Sequence, residues 1–280
     1  MTHSPPQLVD RAALARHRAR AAAMAEPALF LHDYAAGEIK ERLALVNRVF
    51  TAPAVVTGFP APWSARFPAA RVVPDDEILT LEPAAHDLVI HGLALHWAND
   101  PVGQLIQCLR ALKPDGLFLG ILFGGRTLTE LRAALLQAEI ALTGGASPRV
   151  APMGEIRDLG ALLQRAGFAL PVADAIDVTV EYPDALALMR DLRAMGETNA
   201  LAQRHRRTPP RALFTTAAEL YARAHARPGG RIPATFEMVV LTGWAPHPSQ
   251  QKPLRPGSAA QRLADALGTV ERRPGDMPTD

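Results

Sequence analysis

Residues 87–125 read DLVIHGLALHWANDPVGQLIQCLRALKPDGLFLGILFGG, and this stretch decides the fold. Leu88-Val89-Ile90 is a short apolar run of the kind found in a parallel strand covered on both faces. His91-Gly92 ends it, and His96-Trp97 follow in a loop. Asn99-Asp100-Pro101 then supplies a capping side chain and a proline suited to the first helical position. Val102, Leu105, Ile106, Leu109 and Leu112 recur at helical spacing and give one buried face. Lys113-Pro114-Asp115-Gly116 carries turn chemistry, and Leu117–Phe123 is a second apolar strand opening into Gly124-Gly125. Strand, crossover helix and parallel strand make a βαβ unit. Ligands of such sheets bind beyond the carboxyl ends of the strands. There Trp97 reads as a contact residue of the mouth.

Composition bounds the rest. The chain has 280 residues, 48% of them hydrophobic and a formal charge of +2. That fits one domain with embellishments and gives no general pull toward nucleic acid. No apolar run reaches the length of a membrane span. The single cysteine, Cys108, excludes an intramolecular disulfide and sits beside the apolar helix face, where packing is its expected role. The Ala, Arg and Pro bias and the lone thiol suit a bacterial cytoplasm.

Working outward toward the N-terminus, RAALARHRAR (11–20) is basic and without acids. It reads as a helical arm with a solvated face, or as a contact for an acidic partner or lipid headgroup. Ile39, Leu43, Val46 and Phe50 give the next helix a core face, with Glu38 and Arg42 paired four apart. Ala54–Gly58 could end a first strand, but Phe59-Pro60-Ala61-Pro62-Trp63 follows where a nucleotide loop would need glycines. The prolines there leave little room for a helix. About a dozen residues separate Gly58 from the strand-like Arg71-Val72-Val73, too few for a helix and a further strand. The acidic loop Pro74-Asp75-Asp76-Glu77 is either a solvated turn or a source of carboxylates for an adenine amino group or ribose hydroxyl.

Toward the C-terminus, Thr127-x-x-Glu130 has the form of a capping box. Helices follow over 156–168, from Asp184 to Gly196, and over 215–227. Ile176–Val180 alternates as a half-buried strand, and TFEMVVLTGW (235–244) is the last strand. Arg204-His205-Arg206-Arg207 with Arg211 is the densest basic cluster, a solvated loop or an anion site. It lacks the interleaved aromatics of a single-strand nucleic-acid site. Residues 246–280 read as an extended or disordered tail. His86, His91 and His96 lie across a strand and a loop, so no metal site is expected.

The segment LALHWANDPVGQLIQCLRALKPDGLFLGILFGGRTLTELR resembles class I S-adenosylmethionine-dependent methyltransferases. Within them it is similar to the arginine-hydroxylating assembly factors of respiratory complex I. The malonyl-carrier-protein methyltransferases are a more distant likeness. GGASPRVAPMGEIRDLGALLQRAGF, YPDALALMRDLRAMGETNAL and PATFEMVVLTGWAPHPSQQKPLRPGSA carry the same resemblance. It implies an α/β, Rossmann-like methyltransferase sheet with flanking helices, here missing a strand–helix unit after the first strand. The implied division is an N-terminal helical arm (1–50), a methyltransferase-like domain (51–245) with a helical insertion near 183–230, and a tail (246–280).

By the same resemblance, Gly58 falls on the first glycine of the family's DLGxxxG loop, with Val56 at its acid, and Asp75 falls on the adenine-contacting position. Gly58, Asp75, Asp76 and His91 are therefore the expected cofactor side, for S-adenosylmethionine. His96, Trp97, Phe123 and Arg126 are the expected mouth, Arg126 standing where the family commonly has Asp. Catalytic residues stay unassigned. Hydrogen bonds to charged groups contribute roughly 1.5–3 kcal/mol each, so loss of the glycines and the ribose carboxylate would weaken cofactor binding by orders of magnitude. The expectation is a complex I assembly type of protein that acts through a protein partner, with a weakened or lost cofactor site. An active methyltransferase or peptidyl-arginine hydroxylase, or a small-molecule binding module, are the alternatives. The partner would be a complex I subunit at the inner membrane, reached without a transmembrane segment.

Overall fold

A computed structural model describes residues 7–251. Eight helices are described: α1 (Arg11–Ala22), α2 (Phe30–Leu45), α3 (Pro60–Arg66), α4 (Pro101–Ala111), α5 (Thr129–Thr143), α6 (Ile156–Ala166), α7 (Ala185–Ala194) and α8 (Arg211–His225). The strands are β1 (Pro53–Thr57), β2 (Arg71–Val73), β3 (His86–Gly92), β4 (Leu112–Phe123), β5 (Ala169–Tyr182) and β6 (Ile232–Trp244). They form one sheet in the order β2-β1-β3-β4-β6-β5. The first four are parallel, and β6 runs antiparallel to both β4 and β5.

The alternation of apolar residues explains the two layers. Leu88, Ile90, Leu117, Leu119 and Ile121 project to the face covered by α2, α5, α7 and α8. Val89, Phe118 and Leu122 project to the opposite face, under α4 and α6. All seven residues of β3 are buried, as the doubly covered reading requires. Cys108 belongs to the α4 layer, and burial pushes its thiol up to about 12.

The sheet is one strand–helix unit short after β1. β2 pairs directly with β1, in the register Val55↔Val72, and forms the edge. The connection nevertheless contains a helix, contrary to the expectation from its prolines. α3 spans seven residues with proline in its first turn, where backbone N–H groups have no helical partner to lose. Its Trp63 is fully buried.

Two local readings also change. The Thr127–Glu130 pair is not a capping box, because α5 begins at Thr129 behind a left-handed Leu128. Thr127 Oγ1 instead donates to the Glu237 carbonyl, and Thr235 Oγ1 donates to Glu130. The helix expected over 215–227 starts at Arg211. By contrast, Asp100 and Asp184 cap α4 and α7 by accepting from Gly103 N–H and Ala187 N–H. Gly167 ends α6 in the left-handed region at φ 92°, where a side chain would be strained. Most of the expected tail, from residue 252 on, lies outside the described residues.

Candidate functional site

The carboxyl ends of the four parallel strands deliver Gly58, Asp75, His91-Gly92 and Phe123–Gly125 to one edge of the sheet. At the β1–β2 end, Asp75 is buried, whereas Pro74, Asp76 and Glu77 stay exposed, so the solvated-turn reading of this loop fits all of it but Asp75. Two arginines from α1 reach it. Arg18 Nη1 lies 2.6 Å from Oδ1 and Arg11 Nη1 lies 3.1 Å from Oδ2. Burial works to raise the Asp75 pKa, but Arg18 and Arg11 outweigh it and hold the carboxyl below its ordinary range. The basic face of α1 therefore turns two of its charges inward, which neither the solvated nor the partner reading foresaw.

The glycines of this edge are approached by side chains. A Cβ on Gly58 would collide with the Arg18 guanidinium, and one on Gly92 with the Trp63 ring. Trp63 Nε1 donates to His32 Nδ1 at 3.1 Å, leaving His32 a buried neutral ring whose pKa burial lowers to about 4. Gln104 ties the edge to α4. Its amide nitrogen donates to the Asp75 and Asp76 carbonyls, so its oxygen accepts from His91 Nε2 at 2.9 Å. That network assigns the His91 proton to Nε2. His91 is fully buried, its Nδ1 has no partner among the described residues, and burial lowers its pKa to about 4.

At the β3–β4 end, His96 and Trp97 sit on a short 3₁₀ turn, Leu95–Trp97. The His96 ring lies 4.9 Å from that of Phe123, centroid to centroid. Both His96 and Trp97 turn to Glu197. Trp97 Nε1 donates to Oε2 at 2.7 Å, and His96 Nε2 lies 3.4 Å from the same oxygen. Trp97 is itself buried among Val9, Leu14, Ala151 and Ala200, so it is core as well as mouth. Glu197 is placed by the end of α7. Gly196, at φ 76°, and Glu197 donate their N–H groups to Arg193 O and Leu192 O, a Schellman turn that folds the next side chain inward. Burial raises the Glu197 pKa, but the hydrogen bond and charge of His96, with Arg18 and Trp97, bring it below the ordinary value.

Beside this group lies a cavity of about 420 Å³. Its walls are mainly apolar, with Phe123, Leu131, Leu135, Phe214 and Phe236 among them, and Trp97 and Glu197 at one side. Apolar walls interrupted by polar groups, here Glu197, His17, His205 and three arginines among them, suit a small-molecule or side-chain site. Arg126, an expected mouth residue, is not on its wall. It binds Glu237 at 2.8 Å and Asp177 at 2.7 Å and remains half exposed. His86 also stands apart, bonded to the Ala52 carbonyl. The basic cluster near 204–211 is partly engaged, with Arg204 on Asp10 at 2.9 Å.

Sequence reasoning missed Arg11, Arg18, Gln104 and Glu197 as site residues. Only Glu197 carried a local signal, as the residue after a helix-ending glycine.

No protein-family model matches the chain. Among curated proteins, the mitochondrial arginine-hydroxylase NDUFAF5 of Danio rerio is 42% identical over 198 residues, 71% of this chain and 61% of that protein. The malonyl-[acyl-carrier protein] O-methyltransferase of a Methylovorus species is 33% identical over 246 residues, 86% of this chain and 72% of that protein. The chain spans 45 to 61% of the length of the hydroxylase relatives it matches. Among solved structures, the YcgJ protein of Bacillus subtilis superposes with a TM-score of 0.50 at 12% identity, over 76% of this chain and 99% of that one.

Proposed function

The chain belongs to the class I S-adenosylmethionine-dependent methyltransferase superfamily, with arginine-hydroxylase NDUFAF5 proteins among its relatives, and we propose that it acts by holding an arginine-bearing protein partner while its own α1 closes the nucleoside side. The observation that carries this reading is the double ion pair on Asp75. Both carboxylate oxygens are engaged by Arg11 and Arg18, and the Arg18 guanidinium fills the space beside Gly58. An adenine amino group would have to displace a charge-assisted bond, and each such bond is worth roughly 1.5–3 kcal/mol. This pairing therefore works against the cofactor, and the cavity of about 350 Å³ beside Gly58 and Asp75 is lined by the two arginines themselves.

The substrate side is unblocked, which favours a retained partner. The partner expected from the resemblance is a respiratory complex I subunit. No helix among the described residues is long and apolar enough to cross a membrane, so contact with the inner membrane would run through such a partner. Titration calorimetry with S-adenosylmethionine and S-adenosylhomocysteine should give no dissociation constant in the low micromolar range. A low micromolar value would overturn the closed-site reading. Pull-down of the tagged full chain from its native host should retain complex I subunits, and a pull-down without them would overturn the partner.

A second reading, an active peptidyl-arginine hydroxylase or methyltransferase, is favoured by one feature. Glu197 and Trp97, which with His96 form a hydrogen-bonded group, stand on the wall of a cavity large enough for a side chain. Turnover of a complex I subunit by the purified chain would establish it.

A further inference from the structure

Glu197 is the sole carboxylate among the described residues on the wall of the apolar cavity. Both of its hydrogen bonds converge on Oε2. Oε1 accepts none from the described residues and is not among the polar atoms sealed from solvent, and Glu197 lines the cavity. A carboxylate with only 9% of its side chain exposed and one free oxygen is an incomplete arrangement. Buried charges are stable when paired and fully hydrogen-bonded.

From this geometry we infer that Glu197 is a specificity-determining residue that receives a guanidinium group in the cavity, with Trp97 and the phenylalanines of the wall covering the faces of that group. A guanidinium is planar, weakly hydrated and stacks on aromatic rings, and it offers N–H donors matched to a carboxylate. An ammonium would meet the charge but not the flat aromatic walls. The three arginines around the cavity do not oppose this. Arg149 is paired with Glu139, Arg204 is paired with Asp10, and Arg193 is exposed at the rim without an ion pair among the described residues. A free cation at the rim favours an acidic group next to the incoming arginine. The same chemistry operates a short way along the edge, where Asp75 already holds two guanidinium groups of the chain itself. Glu197 also remains ionised, since its neighbours outweigh burial.

The source of the guanidinium, a partner's arginine, rests on the proposed function. The pocket chemistry is tested without that partner. Calorimetry of the full chain with phenylguanidine, benzylamine and benzoate should rank phenylguanidine first, with benzoate failing to compete. Glu197→Gln should weaken phenylguanidine at least about tenfold, the loss of one charge-assisted contact. Glu197→Asp, which keeps the charge but draws the carboxylate back, should weaken it too and serves if the glutamine variant does not fold. Equal phenylguanidine affinity in a folded variant, preference for benzoate, or no phenylguanidine binding by the native chain would each overturn the inference. A native host pull-down without complex I subunits, alongside intact phenylguanidine binding, would overturn the partner reading alone.

Discussion

The two ends of one sheet edge have been treated oppositely by the same chain. At the β1–β2 end, two arginines of the chain itself engage both oxygens of a buried carboxylate, and Arg18 approaches Gly58, beside a cavity of about 350 Å³ that the same residues line. At the β3–β4 end, a carboxylate with one free oxygen looks into an open cavity. Both ends carry a buried acid, so burial alone does not separate them. The difference lies in what the chain offers each acid: α1 presents two flexible cations to Asp75, whereas Glu197 receives donors on one oxygen only. An acid satisfied by the chain's own cations stabilises the fold. An end left half-satisfied is suited to bind.

The largest expected effect breaks the ion pairs of the satisfied acid. Asp75→Asn would leave two inward guanidinium groups without a counter-charge, and breaking a buried pair from one side costs about 3–5 kcal/mol. Arg11 keeps about a quarter of its side chain exposed, so the loss should fall at the lower end of that range. Urea unfolding measures it. A loss under about 1 kcal/mol would mean that α1 simply swings into water and that the closure is superficial.

Acid should act on both ends together, by about 1 kcal/mol per buried histidine near pH 5.5. His32 and His91 have folded pKa values lowered to about 4 from an ordinary 6.5. Between those values the unfolded chain binds more protons, so stability falls as pH drops through that window. Asp75 and Glu197 are also lowered, but as acids they stabilise the fold above the ordinary carboxylate range and lose that contribution only as pH falls below it. Urea midpoints at stepped pH should show an early decline from the histidines and a later one from the carboxylates. His91→Phe should remove part of the early decline and leave the later one.

How much of this was legible in the sequence follows from the range of each interaction. The βαβ unit, the caps at Asp100 and Asp184, and the missing strand–helix unit depend on residues near one another in the chain, and all could be read. α3 was missed because prolines were weighed as breakers without regard to their place in a first turn. The capping box failed because Thr127 and Glu130 found better partners on β6. The contacts that define the site are long-range: Arg18 meets Asp75 across 57 positions and Trp97 meets Glu197 across 100. Periodicity carries no information about such pairings.

Arg18→Ala sharpens the comparison at the level of binding. The substitution frees the space beside Gly58 and one oxygen of Asp75. If α1 is what excludes the nucleoside, S-adenosylhomocysteine affinity should rise about tenfold by calorimetry, the equivalent of one regained charge-assisted bond. An unchanged affinity would mean that α1 does not govern binding at this end, and would turn attention to the turn into α3 and the absent strand, which the substitution leaves unaltered.

The smallest effect lies away from the edge and calibrates the rest. Arg42 pairs with Glu38 at 3.0 Å one turn away and with Asp174 at 2.6 Å on β5, with all three side chains partly exposed. Solvent and salt screen such pairs, so Arg42→Ala should cost about 0.5 kcal/mol and less at high ionic strength. The same kind of ion pair, Arg with Asp, is thus present at the surface and at the β1–β2 end. If Arg42→Ala costs as much as Asp75→Asn, burial is not what makes the Asp75 cluster strong, and the contrast between a satisfied acid and a half-satisfied one loses its energetic basis.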